Sequence, residues 1–409
     1  MKFKLTKQEK AWVLYDIGNS AFILLVATIV PIYFNSLASA AGVSNTDYLA
    51  YWGYATSIAT LAVAIIGPIF GALADTKDFK KPIFTISMLV GAIGCTALGF
   101  TGSWIIFLVI YIIAKIGYSS SLVFYDSMLT DITDEDRMDH VSSYGYAWGY
   151  IGSCIPFVVC LALVLFGESF GISMSLAMTI SFCIIGGWWI LITLPLLKNY
   201  KQVHYVDVQK GAVKASLKRL WQTLLQMSSN KKVFFFLIAF FCYIDGVYTI
   251  IDMATAYGQA LGLDTTGLLL ALLVTQVVAW PFSILFGRLS KKYDSNLLIT
   301  ICIIAYTCIA IYALFLVNLT QFWILAVCVG MFQGAIQALS RSYFAKIIPA
   351  EKSGEYFGIY DICGKGASFL GTTIMGLATQ LTGSANVGIG ALSILFIVGL
   401  YFFRKQAKL

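Results

Sequence analysis

The chain has 409 residues, of which 59% are hydrophobic and only 11% are charged, and its mean hydropathy is +0.83. Soluble proteins carry about 25% charged residues, so this composition excludes a soluble globular protein. The formal net charge is +7, from 27 Lys and Arg against 20 Asp and Glu. There are only 2 histidines, His140 and His204, which excludes a histidine-rich metal centre.

Twelve apolar runs along the chain are long enough to cross a bilayer as helices, because a hydrocarbon core about 30 Å thick takes about 20 helical residues. The runs are continuous rather than alternating, which disfavours a β-barrel. The sequence therefore predicts an all-α membrane protein with twelve transmembrane helices. The predicted spans are 12–39, 48–74, 83–100, 104–128, 142–166, 173–197, 232–261, 264–288, 296–317, 320–345, 354–381 and 384–403.

The basic residues divide the connections between these spans into two classes. The termini and the even-numbered connections carry Lys and Arg, whereas the six opposite connections carry none. By the positive-inside rule, both termini and the basic connections are expected in the cytoplasm. The net positive charge is then a signal of topology and not of nucleic-acid binding. Short tails and the lack of a targeting sequence favour a bacterial cytoplasmic membrane.

The longest polar connection divides the chain into two six-helix halves. We expect an N-terminal bundle over 1–197, a cytoplasmic linker over 198–231 and a C-terminal bundle over 232–409. In the linker, apolar residues recur at helical spacing and basic residues take the other side, which predicts an amphipathic helix on the membrane surface. These apolar residues are Leu217, Leu220, Trp221, Leu224 and Leu225, and the basic ones are Lys210, Lys214, Lys218 and Arg219. Two matched halves are typical of rocking-bundle transporters.

Several motifs carry a family resemblance. The segment 71–81 resembles the signature between helices 2 and 3 of the major facilitator superfamily, although Asp78 and Phe79 replace its usual Gly and Arg. The other motifs are Trp12-Val-Leu-Tyr15-Asp16-Ile-Gly-Asn19-Ser20, Gln333-Gly-Ala-Ile-Gln337-Ala-Leu-Ser340-Arg341-Ser and Phe357-Gly-Ile-Tyr360-Asp361-Ile-Cys-Gly364-Lys365. Together they resemble the branch of that superfamily related to the autophagy-associated vacuole effluxers. The resemblance implies a facilitator fold of two six-helix bundles and, for eukaryotic relatives, amino-acid efflux.

Seven of the charged side chains inside the predicted spans are candidates for the membrane interior. An ionised side chain at the bilayer centre costs about 2.5–3.5 kcal/mol on the insertion scale. Each of these residues must therefore be paired, hydrated in a cavity or neutral. They are Asp16, Lys115, Asp126, Asp245, Asp252, Asp361 and Lys365.

Polar stripes follow four of the predicted helices. The implied fold places helices 1, 4, 7 and 10 around a central cavity, and the stripes fall on these helices. In helix 7, Asp245, Thr249 and Asp252 lie on one face because they follow the i, i+4, i+7 spacing. The other stripes are Asp16, Asn19 and Ser20 in helix 1, Lys115, Ser119 and Asp126 in helix 4, and Gln333, Gln337 and Arg341 in helix 10.

Lys115, Asp245 and Asp252 form the constellation that we expect to bind substrate. Lys115 would bind the carboxylate of a zwitterion and one aspartate its ammonium group. A carboxylate in a dry cavity holds a proton more readily, so an aspartate could also carry a coupling proton. The alternative is a buried charge cluster that only locks the halves together. Asp16 lies close to water in this prediction, where a solvated or gating role competes with a role in the cavity.

Other charged residues are expected to serve structure or gating. Asp75, at the end of helix 2, suits a conformational latch, as an acid near a helix N-terminus or near an Arg across the interface. Asp361 and Lys365 stand in the favourable i, i+4 order for an intrahelical pair, with substrate contact as the alternative. Asp126 and Arg341 are placed in the same structural or gating group. The acid run Asp131, Asp134, Glu135, Asp136 and Asp139 is expected to be a solvated loop or a partner for basic loops.

The sequence carries no motif of an enzyme, a nucleotide-binding loop or a metal site, so no cofactor is expected. It therefore predicts a monomeric secondary transporter in the lipid bilayer for a small polar solute, such as an amino acid, with protons as a candidate coupling ion. The alternatives are a transporter of sugar-like or amphipathic compounds, or a membrane sensor on the same scaffold.

Overall fold

The computed structural model describes residues 4–207, 212–227 and 229–409, and within these ranges it leaves out the side chains of 32, 45, 46, 48–50, 212, 213, 226, 227, 255, 265, 269 and 365–369. The described chain is helical, apart from one isolated bridge between Thr76 and Val206. The helices are α1 (Lys7–Ala40), α2 (Asn45–Ala74), α3 (Lys80–Leu98), α4 (Trp104–Ser127), α5 (Leu129–Ile132), α6 (Glu135–Phe166), α7 (Met174–Asn199), α8 (Ala212–Met227), α9 (Lys231–Ala260), α10 (Thr265–Leu289), α11 (Ser295–Ala313), α12 (Leu319–Ile347), α13 (Ser353–Thr382), α14 (Ala385–Ala391) and α15 (Ser393–Gln406).

Short polar caps set where several of these helices begin. Thr6 and Glu9 form a capping box at the start of α1, with Glu9 N–H donating to Thr6 Oγ1 over 3.2 Å. Such caps satisfy backbone N–H groups that have no partner inside the helix. Gly42 and Gly262 follow the ends of α1 and α9 with positive φ angles of 79° and 74°, a conformation that glycine adopts without steric cost. The sequence thus specifies the tight turns between consecutive helices.

The twelve-helix prediction is confirmed in outline. Eleven helices of the described chain are long and apolar enough to cross a membrane. The remaining predicted span, 354–381, corresponds to α13, which has 30 residues. The predicted helix of the linker is present as α8, although Lys210 lies outside the described residues. The last predicted span is divided into α14 and α15 at Leu392.

The start of α6 corrects the sequence-based boundary. A helix was expected from residue 142, but α6 begins at Glu135. Its first turn contains Glu135 and Asp136, and acids are stabilised at a helix N-terminus by the helix dipole. Residues 135–141 of the polar segment between the two spans therefore belong to a helix and not to a loop.

The contacts divide the chain into two compact units. Unit 1 contains Met1–Ile132, Trp148–Ser216 and Glu351–Gly358, and unit 2 contains Thr133–Ala147, Leu217–Ala350 and Ile359–Leu409. In unit 1, α3 packs on α4 and α7, and α1 packs on α7. In unit 2, α10 packs on α12, and α9 packs on α15. Both α6 and α13 pass from one unit to the other along their length.

Candidate functional site

The polar stripe of α9 begins with an enclosed carboxylate. Asp245 is 0% exposed, and its Oδ1 accepts a hydrogen bond from Thr249 Oγ1 over 3.3 Å. Helix α13 closes the site at Gly371, where a Cβ would lie 2.6 Å from Asp245 Oδ1. Oδ2 has no hydrogen-bond partner in the described part of the chain. Because a buried charge is costly without a partner, this carboxyl group needs a proton or a cation.

The same stripe becomes exposed towards the end of α9. Asp252 is exposed, and so are Ala256 and Gln259 further along the helix. The two aspartates that were predicted together on one face of a helix therefore have different surroundings. The enclosed Asp245 fits the role of a carboxyl group that exchanges a proton in the interior. The exposed Asp252 fits the role of a carboxylate that a solute can reach.

Asp16 is buried, whereas the sequence led us to expect it close to water. It is 6% exposed, and Tyr125 Oη donates a hydrogen bond to its Oδ2 over 2.8 Å. The Tyr125 ring stacks on Trp12 with centroids 4.4 Å apart, so aromatic side chains cover the carboxylate. Asn19 is also buried and donates to the Tyr15 carbonyl over 2.8 Å. The structure thus joins Asp16 of α1 to α4, whereas the Asn19 side chain bonds within α1.

The predicted constellation is shared between the two units. Lys115 is half-buried in unit 1, and its Nζ lies 5.4 Å from the centre of the Tyr118 ring. Asp245 and Asp252 belong to unit 2. Their convergence on one solute therefore stays a prediction.

The remaining predicted residues have mixed environments. Arg341 is buried in unit 2, where its Nε donates to Ser142 Oγ over 2.9 Å and its guanidinium lies over the Tyr146 ring. Gln333 is buried, whereas Gln337, Asp126 and Asp361 are half-buried. The side chain of Lys365 lies outside the described residues, so its pairing with Asp361 stays a prediction.

Two glycine pairs bring α2 and the first turns of α13 into backbone contact within unit 1. Gly67 and Gly71 are four residues apart, as are Gly354 and Gly358. A Cβ on Gly71 would overlap the Gly354 carbonyl oxygen, and one on Gly358 would lie 2.6 Å from Pro68 Cα. Small residues at this spacing allow two helices to approach closely. These pairs were missed from the sequence, although their four-residue spacing is a recognisable signal.

This approach places Asp75 at the start of α13. Its Oδ1 accepts from the Gly354 N–H over 2.7 Å, and its Oδ2 accepts from the Glu355 N–H over 2.9 Å. The carboxylate therefore binds a helix N-terminus, as the latch hypothesis requires. Burial raises the pKa of Asp75 to about 7, although the Lys80 ammonium and the two N–H groups act in the opposite direction. The latch role itself stays a prediction.

Lys80 links Asp75 to a second buried carboxylate, Asp131. The Lys80 Nζ lies 3.8 Å from Asp75 Oδ1 and 3.4 Å from Asp131 Oδ2, and it donates to Ser353 Oγ over 2.8 Å. Asp131 Oδ2 also accepts from Tyr200 Oη over 2.6 Å. Burial and the neighbouring Asp131 raise the pKa of Tyr200, so its hydroxyl remains a donor. One ammonium group thus connects α3 with α5 and α13.

The segment after α7 folds back onto this cluster. Asp131 Oδ1 accepts from the His204 N–H over 2.8 Å and lies 3.2 Å from His204 Nδ1. Val206 N–H donates to the Asp75 carbonyl over 2.7 Å, and Lys77 N–H donates to the Val206 carbonyl over 3.1 Å. These contacts hold residues 200–206 against the connection between α2 and α3. We call this segment the strap.

The strap is expected to make stability depend on pH through His204. Its hydrogen bond to Asp131 raises the pKa of His204, with Glu351 acting in the same direction and Lys80 in the opposite one. The protonated imidazole therefore stabilises the fold below its unfolded pKa of about 6.5. This contribution is lost as the pH rises through the higher folded value.

A comparison with His204→Gln measures this contribution. The Tm advantage of the unmodified protein, purified in detergent, should be on the order of 1 °C at pH 6, since partly exposed ion pairs contribute little, and it should vanish by pH 9. Asp75 titrates in both proteins, so the difference isolates the imidazole. An advantage that is constant from pH 6 to pH 9 would contradict the role of His204.

Asp139 is the corresponding buried acid in unit 2. Its Oδ2 accepts from Ser295 Oγ over 2.7 Å and from Lys346 Nζ over 2.6 Å, and its Oδ1 accepts from Ser342 Oγ over 2.6 Å. These bonds join the start of α6 to α11 and α12. The acid run was expected to be a solvated loop or a partner for basic loops. Asp131 and Asp139 are buried and not solvated, and each contacts basic side chains instead. The exposed members of the run are Asp134, Glu135 and Asp136.

Comparison with known proteins identifies the family of this helical chain. The sequence profile described as "Vacuole effluxer Atg22 like" matches residues 5–405. The chain belongs to the vacuole effluxer Atg22-like family. This assignment confirms the resemblance that the motifs of helices 1, 10 and 11 indicated. The chain is therefore a major facilitator transporter and not an enzyme.

Relatives of this Atg22-like transporter span bacteria and fungi. The MFS-type transporter YxiO of Bacillus subtilis (strain 168) is 42% identical over 405 residues, covering 98% of this chain and 95% of that protein. Autophagy-related protein 22 of Botryotinia fuckeliana is 23% identical over 300 residues, which cover 65% of this chain and 49% of that protein. The match thus spans about half of the fungal protein.

Solved structures support the fold of this Atg22-like transporter. The transporter FucP in its outward conformation matches with a TM-score of 0.72 at 15% identity, covering 98% of this chain and 97% of that chain. The human organic anion transporter MFSD10 also gives a TM-score of 0.72, at 12% identity, covering 98% of this chain and 100% of that chain. At these identities the likeness concerns the fold alone.

Proposed function

We propose that this Atg22-like transporter moves a small zwitterion, an amino acid or a close relative, by alternating access and in exchange with protons. The observation that carries the proposal is Asp245, an enclosed carboxyl group with one unpartnered oxygen on a helix that lines the cavity in the implied fold. A carboxyl group in such surroundings alternates between a protonated state and a state that needs a cation. This alternation is the elementary step of proton coupling.

Two further side chains complete the proposed recognition of the solute. Lys115 binds the carboxylate, because it presents a basic side chain on a half-buried helix face. Asp252 binds the ammonium group, because it is exposed while Asp245 is enclosed. A zwitterion supplies one partner to each residue, which offsets the cost of bringing both charges out of water.

Direction and location are part of the same proposal. The family is described as vacuole effluxers, and a bacterial relative covers 98% of this chain. We therefore place the protein in a bacterial cell membrane with both termini in the cytoplasm, where it exports solute as a monomer. The basic connections support this orientation through the positive-inside rule.

Transport by the purified full-length protein in proteoliposomes tests the proposal. We expect accumulation of radiolabelled amino acids when a pH gradient is imposed, and loss of accumulation when a protonophore removes the gradient. Primary amines without a carboxylate and N-acetylated amino acids should compete at least about tenfold less well, because each lacks one of the two charged groups that Lys115 and Asp252 are proposed to bind. Transport of sugars in place of amino acids would contradict the proposed substrate class, and protein-free liposomes provide the baseline.

A further inference from the structure

Helix α8 exposes four large apolar side chains. Its buried side carries Leu220 and Thr223, which are 7% and 3% exposed, whereas Trp221 is 64% exposed and Leu225 is 62% exposed. An exposed group of apolar side chains on one face of a helix marks an interaction surface. We call this surface the α8 stripe, and its members are Leu217, Trp221, Leu224 and Leu225.

The α8 stripe is continuous and has a basic edge. At 3.6 residues per turn, its four members fall within an arc of about 100° around the helix. Leu220 and Thr223 lie outside this arc on one side, and Lys218 lies next to Leu225 at the opposite edge. Lys214 lies one turn before Lys218, and both lysines are exposed. Long basic side chains beside an apolar face can extend their ammonium groups to the polar boundary of a bilayer.

The position of α8 in the chain keeps this surface close to the membrane. Three residues separate the end of α8 at Met227 from the start of α9 at Lys231, and α9 is long and apolar enough to cross a membrane. An extended chain spans at most about 3.6 Å per residue, so the two helix ends lie within about 14 Å of each other. Lipid headgroups and the outer part of the acyl chains are therefore within reach of α8.

The charge of α8 decides which surface it matches. The helix contains Lys214, Lys218 and Arg219 but no acidic residue, and Lys231 is exposed at the start of α9. A second copy of α8 would carry the same positive charge, and like charges repel. An anionic lipid surface instead attracts basic residues and accepts an apolar helix face.

We propose that α8 binds the headgroups of anionic phospholipids through Lys214 and Lys218 while the α8 stripe inserts among the acyl chains. The sequence pattern predicted only a helix on the membrane surface. The exposed stripe and its basic edge define the face that α8 presents and the lipid class that matches it. This lipid site is separate from the carboxylates that are proposed to carry protons and bind the solute.

Quenching of Trp221 fluorescence by brominated lipids tests both parts of the proposal. The full-length protein is reconstituted in neutral phosphatidylcholine that contains a minor, equal fraction of either dibrominated phosphatidylglycerol or dibrominated phosphatidylcholine. These probes have the same acyl chains and differ in headgroup charge. The signal of Trp221 is the difference between the unmodified protein and Trp221→Phe. We expect phosphatidylglycerol to quench Trp221 roughly fivefold more strongly, the enrichment that one basic residue near an anionic surface provides.

Two double variants separate charge from insertion. Each is measured with and without Trp221→Phe, so that the Trp221 signal is again a difference. Lys214→Gln with Lys218→Gln should equalise quenching by the two probes while quenching itself persists, because the apolar stripe is intact. Lys292→Gln with Lys408→Gln removes the same charge at two exposed positions outside α8, and it should keep the preference for phosphatidylglycerol.

Three results would overturn the proposal. The first is equal quenching of Trp221 by the two probes in the unmodified protein. The second is an undiminished preference for phosphatidylglycerol in the α8 double variant. The third is a Trp221 that neither probe quenches, which would mean that protein, such as a second copy of the chain, covers the stripe. The assay contains no transport step, so a failure of the proposed amino-acid transport would leave its result unaffected.

Discussion

Replacing Asp245 with Asn is expected to abolish proton-driven accumulation of substrate while solute exchange continues. The amide keeps the size of the side chain and its contact with Thr249 but cannot gain or lose a proton. Because Asp245 is fully buried with one unpartnered oxygen, a neutral amide should not disturb folding. Accumulation driven by a pH gradient should fall about tenfold or more, as removal of an essential acid–base group does, and counterflow of labelled substrate should persist.

Asp252→Asn is the matched comparison, since it makes the same change seven residues along the same stripe at an exposed position. We expect this variant to raise the KM for substrate and to retain the response to the pH gradient. Proton-driven accumulation that is unchanged in Asp245→Asn would remove Asp245 from the coupling mechanism. Equal behaviour of the two variants would remove the distinction between the proton and solute sites.

The largest structural effect is expected from a single methyl group between α2 and α13. A Cβ on Gly71 would overlap the Gly354 carbonyl oxygen, and one on Gly354 would lie 2.8 Å from Asp75 Oδ1. These neighbours are backbone or buried atoms that cannot move aside independently. Overpacking of this kind costs typically about 1–3 kcal/mol, and it separates Asp75 from the N–H groups of α13. We expect Gly71→Ala and Gly354→Ala to reduce the transport rate about tenfold and to lower the Tm.

Two glycines on the same helices provide controls. Gly53 of α2 and Gly376 of α13 have no neighbouring atom within 4 Å of an added Cβ, so alanine at either position should leave transport and Tm close to those of the unmodified protein. Full transport by Gly71→Ala with an unchanged Tm would show that α2 and α13 need no close contact. Loss of transport in the control variants would mean that alanine acts through helix flexibility instead.

Local signals in the sequence were sufficient for the helical framework. Hydropathy averaged over about 20 residues predicted each span, because a lipid-facing helix must be apolar along its whole length. The start of α6 was missed because Asp139 and the acids before it are polar, which is typical of a loop. Asp139 also bonds to Ser342 and Lys346, which lie about 200 residues further along the chain.

The candidate site could be predicted only in part. The spacing of Asp245, Thr249 and Asp252 placed them on one helix face, because the helical period is fixed. It could not show that Gly371 encloses Asp245 while Asp252 is exposed. The sequence showed Asp131 as a charged residue. It could not show that Asp131 accepts hydrogen bonds from the strap, because that contact forms only when the chain after α7 folds back onto α5.

The sequence by itself therefore determined the apolar spans, the family and the residues that carry charge into the membrane. These properties depend on composition and spacing along one segment at a time. Tertiary structure alone decided which carboxylates are enclosed and that the glycine pairs of α2 and α13 meet. The physical reason is that burial and hydrogen bonding depend on neighbours that are distant in sequence, and their positions follow from packing, which no local pattern contains.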